Sequence, residues 1–400
     1  MQILLAPDKF KRSLSASQAC TAIEQGLRDG WPHTLPCPGF IHHPIADGGE
    51  GTTEAVVTAL GGRWLDLDSQ DAHGRRIRTR YGWIDELPGH QHDSPDQTSG
   101  LTAPVAVVEM SAASGLDLVS DLPLDPWRAS TSGTGQMLRH AAERGAGSIF
   151  LGIGGSATND AGCAMAAALG YQWLDAAGKP IPIDELPARL LEALAIDDSG
   201  VVPLPPLLVA VDVTNPLLGA NGATRIYGPQ KGIPPADIER HEARLAHIAR
   251  LVRHLRPEIP GDAIDQPGSG AAGGLGFTLR HLLGASLMPG FDLIARLTSI
   301  EQAIATADLV ITGEGRFDHQ SLNGKGPAGV ARIARRHGKP AIAMCGLLDQ
   351  DAAAAAGFAA AWQAKPDDLS TSEAIARAAE LLRECARQNS PLLPSLIAAS

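Results

Sequence analysis

The chain of 400 residues carries 33 Lys and Arg against 44 Asp and Glu, a formal net charge of −11, which is a poor footprint for gripping a phosphate backbone and argues against a general nucleic-acid binder. Hydrophobic residues make up 44% and charged residues 19%, so global disorder is excluded, and the length favours two domains or one large α/β domain with an insertion. The 44 glycines and 29 prolines gather in short runs, the texture of backbone-built sites rather than of linkers.

Met1 leads into Gln-Ile-Leu-Leu-Ala-Pro without the charged start, apolar stretch and cleavage site of a secretory signal. Gln2 to Ala6 predicts a strand ended by Pro7-Asp8, and the run from Ser15 has a capping serine and apolar residues at helical spacing. Strand-like segments follow at Arg76 to Ile84, Val105 to Met110, Ser148 to Ile153 and Leu207 to Val213, with helices and glycine turns between them. Glu86 to Thr102 has almost no apolar residue and reads as a mobile hairpin tip. Ala307 to Thr312 predicts a strand running into Gly313-Glu-Gly315, Pro327 to His337 a helix, Pro340 to Cys345 another strand, and Ala352 to Ala356 is compatible with helix.

Both ends therefore repeat a β-loop-α unit, which normally builds a parallel sheet covered on both faces with ligands at the carboxyl ends of its strands. The expectation is an α/β protein of two domains, one discontinuous over residues 1–70 plus 290–400 and an α/β domain inserted over 71–289. No apolar run approaches the ~20 residues that span a bilayer. The five cysteines form no Cys-x-x-Cys pair and the thirteen histidines no recognisable ligand spacing, so a soluble protein of the reducing cytoplasm is expected.

Three glycine-rich segments have the spacing that lets backbone N–H groups approach an anion. Gly152-Ile-Gly154-Gly155-Ser156-Ala157 follows a predicted strand and fits Gly-x-Gly-x-x-Ala, with Asp175 about 20 residues further on as in a dinucleotide fold. Ser156, Thr158, Asn159 and Asp160 crowd the following turn with polar groups, which suits a metal-phosphate or substrate site better. Gly268-Ser-Gly270-Ala-Ala-Gly273-Gly274-Leu-Gly276 matches Gly-x-Gly-x-x-Gly without a clear strand before it, and a tight turn at a glycine-packed helix start explains it as well. Gly313-Glu314-Gly315-Arg316-Phe317-Asp318 follows a strand and adds two acids and a cation, a set for Mg²⁺ and phosphate or simply a charged turn.

A Walker A loop is excluded, because Gly324-Lys325 requires glycine where His319 stands, and Gly154-Gly-Ser156-Ala-Thr158 lacks the last glycine of a hydrolase elbow. Lysine is scarce, seven against twenty-six arginines, yet Lys9, Lys11, Lys231 and Lys325 all fall beside these motifs. Asp47-Gly48-Gly49-Glu50-Gly51 joins two acids to a flexible backbone, able to position a hydroxyl or a metal or to make a turn. Asp212 stands within or just after the apolar run Val209-Ala-Val, where a carboxylate is costly unless hydrogen-bonded or used.

Taken in order, the stretches Ala6-Pro-Asp8-Lys-Phe-Lys11-Arg-Ser13, Ala46-Asp-Gly-Gly-Glu-Gly-Thr52, Glu109-Met-Ser-Ala-Ala-Ser-Gly-Leu116 and Gly152 to Asp160 resemble the bacterial glycerate kinase family of the glyoxylate and glucarate pathways. Asp212-Val-Thr-Asn215-Pro-Leu217, Tyr227-Gly-Pro-Gln-Lys231-Gly232, Gly268 to Gly276 and Ile311 to Asp318 extend the resemblance along nearly the whole chain. It implies ATP-dependent phosphorylation of D-glycerate with Mg²⁺, at the 2-hydroxyl in this branch, with 3-phosphoglycerate as the alternative product. A flavodoxin-like parallel-sheet domain formed by both chain ends is implied too.

Under that resemblance Asp212 accepts the hydroxyl proton and Lys11 holds a carboxylate or phosphate. Asp8, Ser13, Asp47, Gly48, Gly49, Asn215 and Lys231 are the substrate-binding candidates. Gly154, Gly155, Ser156, Asn159, Asp160, Gly270, Gly273 and Gly274 are the nucleotide-binding ones, and Glu314 and Asp318 the magnesium neighbours. A cytoplasmic monomer or homodimer without nucleic-acid or membrane partners is expected. The rival readings are an NAD-dependent oxidoreductase of small hydroxy acids, resting on Gly152 to Ala157 with Asp175, and a non-enzymatic sensor of small acids.

Overall fold

A computed structural model describes residues 1–87, 101–322 and 326–398. The Gly324-Lys325 pair and most of the expected hairpin tip lie outside the described residues. The chain separates into two compact units, one made of Met1–Asp47, Glu54–Gly62 and the chain from Phe291 onward, the other of Gly48–Thr53 and Arg63–Gly290.

The first unit is built on a five-stranded sheet in the order Ala360–Gln363, Ala341–Cys345, Leu309–Thr312, Gln2–Leu5, Gly39–His42. All its pairings are parallel, with Ile3 opposite both Leu309 and Phe40. Alternation along the strands divides the core in two. Ile3, Leu5, Ile311 and Met344 pack with Ile23, Leu27 and Leu382 on one face, and Leu4, Ala6 and Val310 pack with Ile300, Val330 and Ile333 on the other. The helix Ala16–Gly30 begins where expected, with a capping box in which the Ser15 hydroxyl accepts from Gln18 N–H and the Gln18 side chain accepts from Ser15 N–H. It lies against Ala378–Asn389 so closely that a Cβ on Gly26 would stand 2.1 Å from the Arg383 carbonyl oxygen.

The second unit carries a six-stranded sheet in the order Ser286–Met288, Leu207–Ala210, Ser148–Gly152, Val105–Glu109, Arg76–Ile84, Arg63–Gln70. The first four strands are parallel and the last two close the edge as an antiparallel hairpin. Its core joins Val108, Leu151 and Val209 to Met137 and Leu138 of the helix Ser132–Glu143 and to Leu275 and Leu279 of the helix Ala271–His281. Arg63–Gln70 pairs along its whole length with Arg76–Ile84, so the junction expected after residue 70 falls instead before Arg63, and the other falls between Gly290 and Phe291. Among the described residues no helix is long and apolar enough to cross a membrane.

Candidate active site

In the first unit the chain winds from Gln2–Leu5 outward to Gly39–His42 in one direction, and from Leu309–Thr312 through Ala341–Cys345 to Ala360–Gln363 in the other. Open α/β sheets place their ligand crevice outside the carboxyl ends of the strands at such a reversal. The loops that follow these two central strands are tied together, Asp8 N–H donating to the Gly313 carbonyl at 2.8 Å, and they frame a cavity of about 580 Å³. Asp8, Lys11, Ser13, Asp47, Glu314 and Asp318 all line it, so residues read from three separate motifs converge on one space.

This space is crowded with acid. Burial pushes the Asp8 carboxyl up to about 8, repulsion from Asp47 adds to the rise, and Lys9 offsets part of it through its charge and its backbone N–H. Burial likewise lifts Glu314 to about 7, against the pull of the Ser321 hydroxyl. Lys9 Nζ stands 3.9 Å from Asp47, and Arg316 Nε 3.2 Å from Asp318. Among the described residues no three His, Cys, Asp or Glu side chains are grouped to hold a metal by themselves. Glu314 Oε1, however, is buried without a hydrogen-bond partner among the described residues, a donor suited to a cation such as Mg²⁺ that takes one or two carboxylates and completes its shell with phosphate and water.

In the second unit the motifs gather at the carboxyl ends of Ser148–Gly152 and Leu207–Ala210. The Gly48–Thr53 segment lies across them, since a Cβ on Gly48 would meet the Ala210 Cβ at 2.4 Å and one on Gly152 the Gly48 carbonyl at 2.4 Å. Leu207 to Val213 leaves the sheet after Ala210, earlier than its apolar pattern predicts. The half-buried Asp212 beyond it accepts at Oδ1 from Gly290 N–H at 3.0 Å. Asn215 donates to the Asn221 carbonyl and accepts from the Tyr227 hydroxyl at 2.7 Å, which fixes the loop after Asp212. Lys231 is 2% exposed. Its ammonium donates to Ser156 Oγ and the Thr158 carbonyl, and burial brings it down to about 7.

Five of the expected nucleotide contacts are engaged internally instead. Asp160 is fully buried and accepts from Thr131 N–H, Thr131 Oγ1 and Gly162 N–H. Asn159 donates to Thr224 Oγ1. Ala272, Gly273 and Gly274 all have left-handed φ, and Cβ atoms on Gly270 and Gly273 would stand 2.1 Å from the Pro216 and Thr158 carbonyl oxygens. The Gly268 to Gly276 run therefore clamps the Asp212–Pro216 and Thr158–Ala161 loops together, and among these candidates only Gly154 and Gly155 keep an open side.

The dinucleotide reading loses its geometry as well. The helix after the Gly152 loop starts only at Cys163 and runs six residues, and Asp175 follows a strand of a separate two-stranded antiparallel sheet, where it accepts from Ala177 and Lys179 N–H. Glu109 was not singled out by sequence, although it opens one of the quoted motifs. Its buried carboxylate accepts from Gly51 N–H at 3.1 Å and Thr53 N–H at 2.6 Å and holds the Gly48–Thr53 segment in place.

The model of the Glycerate kinase family matches residues 3–393. A glycerate kinase of Halalkalibacterium halodurans is 40% identical over 390 residues, covering 96% of each chain. A glycerate 2-kinase of Escherichia coli is 41% identical over 354 residues, 88% of this chain and 86% of its own. A crystal structure described as that of a "putative glycerate kinase 2 from Salmonella typhimurium LT2" superposes with a TM-score of 0.81 at 39% identity, covering 99% of this chain and 98% of the other. A match of this extent places the chain in the glycerate kinase family.

Proposed function

We propose that the protein transfers the γ-phosphoryl group of ATP to the 2-hydroxyl of D-glycerate, giving 2-phosphoglycerate and ADP. Asp212 carries the chemical part of this reading. It is a carboxylate at the carboxyl end of a central parallel strand, oriented by Gly290 N–H and followed by a loop that Asn215 fixes. The choice of the 2-hydroxyl is supported by the Escherichia coli relative, which is described as a glycerate 2-kinase.

Phosphoryl transfer asks for an in-line hydroxyl, a group to take its proton and charge to balance the phosphates. As the glycerate oxygen bonds to the γ-phosphorus, its proton passes to Asp212 and the bond from the γ-phosphorus to the bridging oxygen breaks, releasing ADP. Gly154 and Gly155 receive an anionic group of the substrate. Lys11, on the rim of the first unit's cavity, meets a phosphate. Glu314 and Asp318, which line the same cavity, would hold Mg²⁺ brought with the nucleotide, and the cation would supply neutralisation of phosphate charge.

The test is glycerate-dependent ADP release from the purified protein, with the product passed to enolase. Phosphoenolpyruvate formed with enolase alone identifies 2-phosphoglycerate, and a requirement for added phosphoglycerate mutase overturns the 2-hydroxyl assignment. Asp212→Asn is expected to lower kcat by about 100-fold or more while KM for glycerate changes by less than about threefold. A variant with wild-type kcat removes Asp212 from the chemistry.

A further inference from the structure

The cavity of the first unit has a wall that the transfer chemistry leaves unexplained. Its acids and lysines come from the strand-end loops, but Phe10, Leu347, Ile375, Ala378 and Leu381 also line it. The last three belong to the helices Thr371–Ala376 and Ala378–Asn389. Leu347 is held beside the acidic loop by the short parallel pairing of Arg316 with Leu347. Ile375, Ala378 and Leu381 are spaced at three residues, which puts them on one side of the helical segment, and all three are partly exposed.

A three-carbon hydroxy acid has no apolar surface to match such a wall, and a space of about 580 Å³ falls within the roughly 300–1,000 Å³ range of pockets that enclose much larger organic ligands. A ligand with a flat apolar ring at one end and a polyanion able to bring a divalent cation at the other matches both parts of the lining. The Gly268 to Gly276 run of the second unit offers no equivalent, because would-be Cβ atoms on Gly270 and Gly273 stand 2.1 Å from backbone carbonyl oxygens and one on Gly274 stands 2.9 Å from the Leu217 side chain.

We propose that the first unit holds the phosphoryl donor, with the purine ring of a nucleoside di- or triphosphate seated against Phe10, Leu347, Ile375, Ala378 and Leu381 and its phosphates directed to the lysine- and acid-bearing loops. This rests on the kinase reading and deepens it by assigning the nucleotide to the residues of the C-terminal helices.

The experiment joins photolabelling to calorimetry on the full chain. With 8-azido-ADP, the label is expected on peptides containing residue 10, residues 345–348 or residues 371–381; label on residues 148–160 or 268–276 overturns the proposal. Ala378→Leu fills the wall and Ile375→Asn makes it polar, both at partly exposed positions that leave the fold intact. Each is expected to weaken ADP about tenfold in calorimetric titration while tripolyphosphate binds as in the wild type. ADP affinity within twofold of wild type in both variants overturns the proposal. A wild type that forms glycerate-dependent ADP but labels elsewhere defeats this placement alone, whereas one that neither binds ADP nor turns over defeats the kinase reading with it.

Discussion

Glu109 stands at the carboxyl end of the Val105–Glu109 strand with its carboxylate turned onto backbone N–H groups of Gly51 and Thr53, and the Ser111 hydroxyl donates to it at 3.3 Å. A charged acceptor serving two backbone donors is among the stronger hydrogen-bonding arrangements, and an amide in its place turns one acceptor into a donor. Glu109→Gln is expected to cost about 1–3 kcal/mol in urea unfolding and to raise amide exchange over residues 48–53; unchanged exchange there refutes the clamp. His43 carries a different signature. Burial holds its imidazole down to about 4 from 6.5, and its Nε2 has no hydrogen-bond partner among the described residues. Between these values the unfolded chain binds a proton that the folded chain does not, so stability is full above about pH 6.5 and falls as the pH drops toward 4. The loss approaches about 3 kcal/mol, and His43→Phe should flatten it when urea unfolding is compared at pH 7 and 4.5.

At the scale of elements, the strands were readable because their apolar runs are long and bounded. Arg76–Ile84 was predicted to the residue, and Val105–Glu109 and Ser148–Gly152 to within one. The Arg63–Gln70 strand escaped notice because it is an edge strand with only Leu67 and Ser69 buried. Glycine spacing misled more. It reports where a backbone can approach something closely but not what it approaches, and at Gly270 and Gly273 the partner is the protein's own carbonyls. The cavity acids were legible as motifs, while its apolar wall was not, because Leu347, Ile375 and Leu381 look in sequence like any other core residues. The helix pair Ala16–Gly30 and Ala378–Asn389 gives a direct check on close approach. Gly26→Ala would ordinarily strengthen a helix interior, but here the methyl group meets the Arg383 carbonyl at 2.1 Å. A net loss of about 1–3 kcal/mol is expected, and a gain in Tm would show that the pair can separate without penalty.

For the whole molecule, the sheet of the first unit decides when that unit can exist. Ile3 is paired with Leu309 on one side and Phe40 on the other, so the opening strand of the chain reaches its central neighbour only after about three hundred further residues have been made. At about 5–20 residues per second this is an interval of about 15–60 s. The second unit has its complete sheet order once Ser286–Met288 has emerged, and it can close first. Ribosome-bound chains halted near residue 330, with the tunnel still covering the Leu309–Thr312 strand, should yield a protease-resistant fragment over 63–290 while residues 1–47 are cut; equal resistance of both would refute this order. Until Leu309–Thr312 emerges, Ile3, Leu4 and Leu5 form an apolar edge without its inner partner. Synthesis thus leaves a sticky strand with one open edge outside the ribosome while some three hundred residues are added, and a trigger-type chaperone that shields residues 2–5 would be expected to raise the yield of folded protein more than one acting on the finished chain.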